Sequence, residues 1–202
     1  MTPPNYPYTI PLVAPVNVGK GLNAFHPCQP LDDWILIQRR VDDTVEFFST
    51  IWSDYVTGFG EPHGNYWMGL EQMHQLTLTP HELFVYLELF DGVVGYARYS
   101  SFSIGDAASK YTITVSGYNG TAGDSLSMHS GYPYSTRNND NSVGGGCTAQ
   151  YGSWWYDACH HSNLNGRYLG GYHDSYADGM EWHSYMGIHY SYKVTEMRVR
   201  PI

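Results

Sequence analysis

Basic residues are scarce in this chain: ten Lys and Arg stand against nineteen Asp and Glu in 202 residues, a formal net charge of −9. Such a chain lacks the positive footprint that nucleic acid or an anionic membrane surface requires, so neither is an expected partner. Long apolar runs are also missing, and without 18 consecutive apolar residues no membrane insertion by a helix is expected. The opening MTPPNYPYTIPLVAP has no basic region followed by an apolar core and does not read as a signal peptide. Charged residues make up only 14%, yet aromatics reach 16%, which is the opposite of a disordered composition. Cysteine occurs three times. Cys147 and Cys159 flank a tight aromatic loop and are read as a disulfide, worth roughly 3 kcal/mol on the chain-entropy view. Cys28 is left over, as a free thiol or an intermolecular bridge. No C-x2-C spacing points to zinc.

What is plentiful is turn material, with 22 Gly and 11 Pro spread along the chain. Short elements joined by many loops follow. Residues 1–24 read as an extended N-terminal arm, with an edge strand around Tyr8–Val13. Trp34–Arg39 is the first clear strand. In VEFFSTIWSDYVTGFG the residues Phe47, Phe48, Ile51, Trp52 and Tyr55 form a stripe at helical spacing, ended by Gly58 and Gly60. A second helix is expected over Met68–Leu76, with Leu70, Met73 and His74 on one face, before Thr79-Pro80 breaks it. Leu83–Leu89 and Val93–Tyr99 flank Phe90-Asp91-Gly92, a strong hairpin signal. Phe102–Ile104, Tyr111–Gly117 and Tyr190–Val199 complete the strands. The expected fold is α+β: a twisted antiparallel sheet with two helices, carrying a loop-rich binding lobe over about 118–189.

Within that lobe, CTAQYGSWWYDACHHSNLNGRY (147–168) concentrates aromatics, two histidines and an Asn-Leu-Asn-Gly turn between and beyond the paired cysteines. Apolar walls with hydrogen-bonding tips suit the grip of a small polar ligand better than bond-making chemistry. The preceding RNNDNSVGGG (137–146) is polar and flexible enough to wrap a cation. No nucleophile elbow, paired carboxylates or metal–water motif is visible, so no enzyme is expected. Asn119-Gly120-Thr121 is an N-glycosylation sequon.

Seven pieces, in order, carry a family resemblance: IQRR (37–40), Gly58-Phe59-Gly60, YWMGLEQMHQLT (66–77), GTAGDSL (120–126), the segment 147–168, SYADGMEW (175–182) and YSYKVTEMRVRP (190–201). Together they resemble the fibrinogen-like domain, the C-terminal module of fibrinogens, ficolins, tachylectins and many invertebrate lectins. The resemblance covers residues 25–202. Cys28 sits where the second cysteine of the family's N-terminal disulfide would be, without its usual partner. No collagen repeat or coiled coil precedes the domain, so the expectation is a homodimer in which Cys28 is the candidate bridge.

The resemblance also implies sites. Calcium would be held by the side chains of Asn138 and Asp140 and by carbonyls near Ser142 and Gly144. One of the family's two carboxylates has become an amide here, and calcium affinity rises with ligand charge. A weakened calcium loop and a metal-free polar turn both stand at this point. An acetyl-group pocket beside the stapled loop would be walled by Tyr151, His160, Tyr176 and Ala177, with main-chain groups around Ala158-Cys159 meeting the ligand amide. In the family the peptide before this cysteine is cis. A further tyrosine wall of the family falls on Ile188. Trp154 and Trp155 read as core, Asn163 and Asn165 as holding the turn, and Asp124 and Asp178 as loop caps. A zinc site from His160, His161 and His173 is a remote alternative. The implied function is a secreted, extracellular lectin for N-acetylated sugars on glycoproteins or glycolipids. By analogy with molluscan agglutinins of this form the favoured ligand is sialic acid, its carboxylate met by hydroxyls, His160, His161 or Arg167. The alternatives are an N-acetylglucosamine- or N-acetylgalactosamine-binding innate-immunity lectin and a fibrinogen-type protein-assembly module.

Overall fold

The computed structural model describes residues 33–202, of which Ile35–Ile202 form one compact body. The expected arm over residues 1–24, the strand at Tyr8–Val13 and Cys28 lie outside the described residues. In chain order the body runs β1 (Ile35–Arg40), α1 (Trp52–Thr57), β2 (Phe59–Gly60), β3 (Tyr66–Trp67), α2 (Leu70–Leu76), β4 (His81–Glu88), β5 (Val94–Ile104) and β6 (Ile113–Gly120). There follow β7 (Tyr134–Ser135), α3 (Cys147–Tyr151), β8 (Trp154–Trp155), β9 (Ser162–Asn163) and β10 (Gly171–Tyr172). The chain ends through β11 (Glu181–Trp182), α4 (His183–Met186), β12 (Tyr190–Ser191) and β13 (Val194–Pro201).

Seven strands form one antiparallel sheet in the order β2-β3-β1-β13-β4-β5-β6. The last strand therefore enters the middle, between β1 and β4. Its register sets Met197 opposite Val85 and Val199 opposite Leu83, so apolar residues face one another on the side covered by α2. Leu83, Val85, Leu87, Met197, Val199 and the helical Leu70 and Met73 have no exposed surface. On the opposite side of β13, Glu196 is buried between Arg198 at 2.8 Å and Arg39 at 3.3 Å. Two guanidinium partners offset the cost of taking this carboxylate out of water. The fold is α+β, as the sequence implies.

The hairpin at Phe90-Asp91-Gly92 forms as expected. Gly92 adopts φ +87°, and the Asp91 carboxylate accepts the Val93 N–H at 3.0 Å. Three expected elements differ. The helical stripe from Phe47 to Tyr55 yields a helix only over Trp52–Thr57. Ahead of it the Glu46 side chain accepts the Ser49 N–H and the Glu46 carbonyl accepts the Thr50 hydroxyl, leaving Ile51 extended. Phe47 and Phe48 are buried from a loop instead. The second helix starts at Leu70 rather than Met68, because Gly69 at φ +104° turns the chain into it. The expected strand Tyr190–Val199 is split: Tyr190–Ser191 pairs with β10, and only Val194–Pro201 joins the sheet.

Candidate functional site

Between β6 and β13 the only ladders are three two-residue pairs, β7 with β8, β9 with β11 and β10 with β12. Side chains do the work that ladders do elsewhere. Buried Gln38 of β1 donates to the Leu164 carbonyl at 3.0 Å, and buried Arg40 donates to the Gly166 carbonyl at 2.8 Å. Burial pushes the Arg40 guanidinium down to about 10, and the face of Phe47 lies 4.2 Å from it. Asn163 donates to the Tyr151 carbonyl at 2.6 Å and to the Tyr156 hydroxyl at 3.0 Å, while accepting the Asn165 N–H. Asn165 reaches the Tyr134 hydroxyl at 3.0 Å. These asparagines hold the turn, as read from the sequence. Trp154, Trp155 and Trp182 are fully buried, and Trp155 meets Tyr134 edge-on at 4.9 Å. Cys147 and Cys159 form the disulfide, and the Ala158-Cys159 peptide is cis.

On this support the chain builds a cavity of about 280 Å³. All seven sequence-predicted ligand residues border it: Tyr151, Ala158, Cys159, His160, Tyr176, Ala177 and Ile188. Tyr151 meets the His160 ring edge-on at 4.8 Å, and Tyr156 backs the same ring at 5.6 Å. Tyr176 stands 65% exposed at the mouth. Ala177 has φ +55°, a left-handed conformation that a larger or branched side chain would adopt at greater cost. The carbonyl of Cys159 is taken by the Asp157 N–H at 3.0 Å, whereas the N–H groups of Cys159 and His160 are not spent in the loop's own hydrogen bonds.

Three lining residues were not legible as such, Met128, His129 and Asp157, while His161, expected to meet a ligand carboxylate, does line the cavity. His129 comes from a 3₁₀ turn far upstream, and nothing beside it in the sequence points to the pocket. Its Nδ1–H donates to the Trp155 carbonyl at 2.6 Å, while Nε2 accepts the N–H groups of His161 and Ser162 at 3.1 and 3.2 Å. With both nitrogens committed in this way the ring has no place for a second proton. Burial pushes its pKa down to about 4, in agreement.

His160 stands over a second buried acid. Its Nε2 lies 3.4 Å from Oε2 of Glu181, a fully buried carboxyl whose other oxygen accepts the Gly179 N–H at 3.3 Å. Desolvation dominates both partners, pushing His160 down to about 4 and Glu181 up to about 8. The pair is therefore neutral near pH 7. The Nδ1 edge of His160 faces the Ala177 main chain, whose carbonyl opposes the effect of burial without offsetting it. Glu181 lies in SYADGMEW, between Met180 and Trp182. A carboxylate inside so apolar a run was the available signal.

Two expectations fail on geometry, the contact of Arg167 with a ligand and the histidine zinc site. Arg167 does not face the cavity: its guanidinium sits 4.0 Å over the Phe48 ring and pairs with Asp178 at 3.4 Å. The side chains of the implied calcium set, Asn138 and Asp140, also hold their own loop in place. The Asn138 side-chain oxygen accepts the Trp52 N–H at 2.9 Å, capping α1, and also the Thr136 hydroxyl. Asp140 accepts the N–H and hydroxyl of Ser142 and the N–H of Gly146, at 2.6 to 3.0 Å, so the set's one carboxylate already closes the turn. The carbonyl positions at Ser142 and Gly144 add no charge. Among the described residues no group of three His, Cys, Asp or Glu side chains is placed to hold a metal, so His160, His161 and His173 do not form a zinc site. Asp124 caps its loop by accepting the N–H groups of Leu126 and Ser127. Asn119 of the sequon is exposed on β6, at the edge of the sheet.

Comparison with known proteins agrees with this architecture. Residues 28–202 match the family described as "Fibrinogen beta and gamma chains, C-terminal globular domain". Fibrinogen C domain-containing protein 1-B of Xenopus laevis is 45% identical over 200 residues, covering 94% of this chain and 43% of that protein. The Homo sapiens fibrinogen C domain-containing protein 1 is 47% identical over 177 residues, covering 84% and 38%. The chain thus spans less than half the length of these relatives. Among solved structures, the fibrinogen-like globe domain of human ANGPTL6 is 44% identical with a TM-score of 0.80, over 84% of this chain and 78% of that one. Lamprey fibrin D-dimer, complexed with the peptide Gly-His-Arg-Pro-amide, is 30% identical with a TM-score of 0.78, over 83% of this chain and 61% of that one. With the sheet, the stapled loop and its cavity in place, the chain belongs to the family of fibrinogen C-terminal globular domains.

Proposed function

We propose that this domain binds N-acetylated sugars without altering them, gripping the acetamido group in the cavity beside the Cys147–Cys159 loop. The observation that carries this reading is the convergence of Tyr151, His160, Ala177 and Ile188 around the N–H groups of Cys159 and His160, which no backbone carbonyl among the described residues takes. An acetamido group needs that combination. Its methyl is apolar and gains from contact with ring faces and an alanine, while its carbonyl requires a donor. Chain relatives and the fold supply a binding or assembly role; the sugar reading is drawn from the pocket.

Among N-acetylated sugars the neutral N-acetylhexosamines suit the pocket better than sialic acid. No Lys or Arg lines the cavity, Arg167 is engaged elsewhere, and the lining includes the acidic Asp157. A sialic acid carboxylate would find only hydroxyls, N–H groups and His161. The peptide held by the lamprey fibrin structure carries an amine and a guanidinium, which call for facing carboxylates. Here the buried acid is neutral and Asp157 stands alone, which disfavours an assembly hole of that type.

A glycan array run with and without a chelator tests the reading. The expected outcome is binding to terminal N-acetylhexosamines that is unchanged by the chelator, since the cation loop closes on itself. Tyr176→Ala should weaken this binding about tenfold, the loss of one exposed aromatic contact, while leaving the melting temperature unaltered. Binding confined to sugars without an acetyl group would sink the proposal.

A further inference from the structure

The molecule has a second hollow of about 430 Å³, lined by Tyr172, His173, Asp174 and His189. It adjoins the acetamido pocket through one stretch of chain, because Ile188 walls the first and His189 the second. The Ile188 carbonyl accepts the Ala177 N–H, and the next carbonyl, of His189, accepts the His173 N–H, so the two hollows share a rigid partition. The Tyr176 ring, at the mouth of the first, approaches the His189 ring at 6.1 Å.

The chemistry of this hollow is specific. Tyr172 is the most exposed large hydrophobic side chain of the body, at 78%, yet it is not loose. Its ring stands edge-on at 4.9 Å to the buried Tyr190, which fixes the orientation of its free face. Both His173 and His189 place Nδ1 at 3.0 Å from the carbonyl oxygen of Ser175. A carbonyl only accepts, so both rings carry their hydrogen on Nδ1, and exposed His189 turns a lone pair on Nε2 outward. The exposed Asp174 carboxylate adds further acceptors. An aromatic face flanked by acceptors, with no cation in the lining, matches a ring rich in hydroxyl donors. It does not match a phosphate, a sulfate or a carboxylate.

We infer that Tyr172, Asp174 and His189 form a second sugar subsite, which takes the residue linked to the N-acetylated sugar held in the first pocket. The inference rests on the acetamido reading and extends it from one sugar ring to two. Tyr172 would stack on the apolar face of the second ring, while His189 and Asp174 accept its hydroxyls.

Calorimetric titration of the chain with N-acetylglucosamine and with its β-linked disaccharide separates the two readings. The disaccharide is expected to bind about fivefold to tenfold more tightly, and Tyr172→Ala to erase that gain while leaving the monosaccharide affinity unchanged. Tyr172→Phe, which keeps the face, should retain it. The exposed position of Tyr172 spares the fold, and an unaltered melting temperature in both variants checks this. A disaccharide no tighter than the monosaccharide, or one insensitive to Tyr172→Ala, overturns the second subsite and leaves the first. Absence of binding by either sugar to the unaltered chain removes both.

Discussion

The sheet and the loop lobe of this domain are stabilised by different means. In the sheet, backbone ladders carry the shape and apolar side chains fill one face, so Met197 opposite Val85 is one contact among many like it. In the lobe the ladders are two residues long, and single polar side chains set the path of the chain. Gln38, Arg40, His129, Asn163 and Asn165 each hold named main-chain or hydroxyl groups across 7 to 126 residues of sequence. A core shaped by area averages over its members. A lobe shaped by individual hydrogen bonds does not, and the pocket is built in the lobe.

The largest effect in that contrast belongs to the sheet. Leu83→Ala should cost about 3 to 4 kcal/mol of stability by leaving a void under β4. Sugar affinity measured below the lowered melting point should stay the same, and a matching loss of affinity would show that sheet and pocket are not separable. Next comes Asn163→Ala, which leaves the Tyr151 carbonyl and the Asn165 N–H without partners. A stability loss of about 2 to 3 kcal/mol is expected, with affinity falling by more than tenfold because Tyr151 is a pocket wall. Thermal melts and titrations on the same samples check both, and an Asn163→Ala chain that binds normally would contradict the contrast.

A smaller effect separates the buried pair under the pocket. Glu181 has its pKa raised by burial, so the folded state holds the proton more tightly than the unfolded chain between its ordinary value of 4.5 and about 8. Stability therefore falls as pH rises through that window. His160 is lowered from 6.5 to about 4, so its contribution is lost as pH falls through its own window. The two slopes oppose below about pH 6.5, and above it only the Glu181 slope remains. Glu181→Gln should remove that decline, which is on the order of 1 kcal/mol per pH unit, as read by melting temperatures between pH 6.5 and 8. An unchanged slope in the variant would place the ionised carboxylate, not the neutral acid, beneath His160.

The same contrast explains what could be read from the chain. Alternating residues, the Asp91-Gly92 hairpin and the spacing of Leu70 and Met73 belong to local patterns, and the sheet and second helix follow from them. The stripe from Phe47 to Tyr55 misled because burial was supplied by a loop, with Ser49 and Thr50 bonded to Glu46 in place of a helical turn. In the lobe, the stapled loop and the residues around Tyr176 were legible through motifs. His129 was not, since its role depends on main-chain groups of residues 155, 161 and 162 that only the folded chain brings near. Arg167 shows the reverse error: a residue type suited to a ligand, committed to neighbours that the sequence does not place beside it.

One titration reaches the central claim most directly. N-acetylglucosamine and glucosamine differ only in the acetyl group and the amine charge it removes, and both can be added to the unaltered chain in a calorimeter near pH 7. Heat of binding for the acetylated sugar, absent for the free amine and about tenfold weaker in affinity in Tyr176→Ala, is the expected result. Equal binding of the two sugars, or tighter binding of the amine against Asp157, would contradict an acetamido pocket.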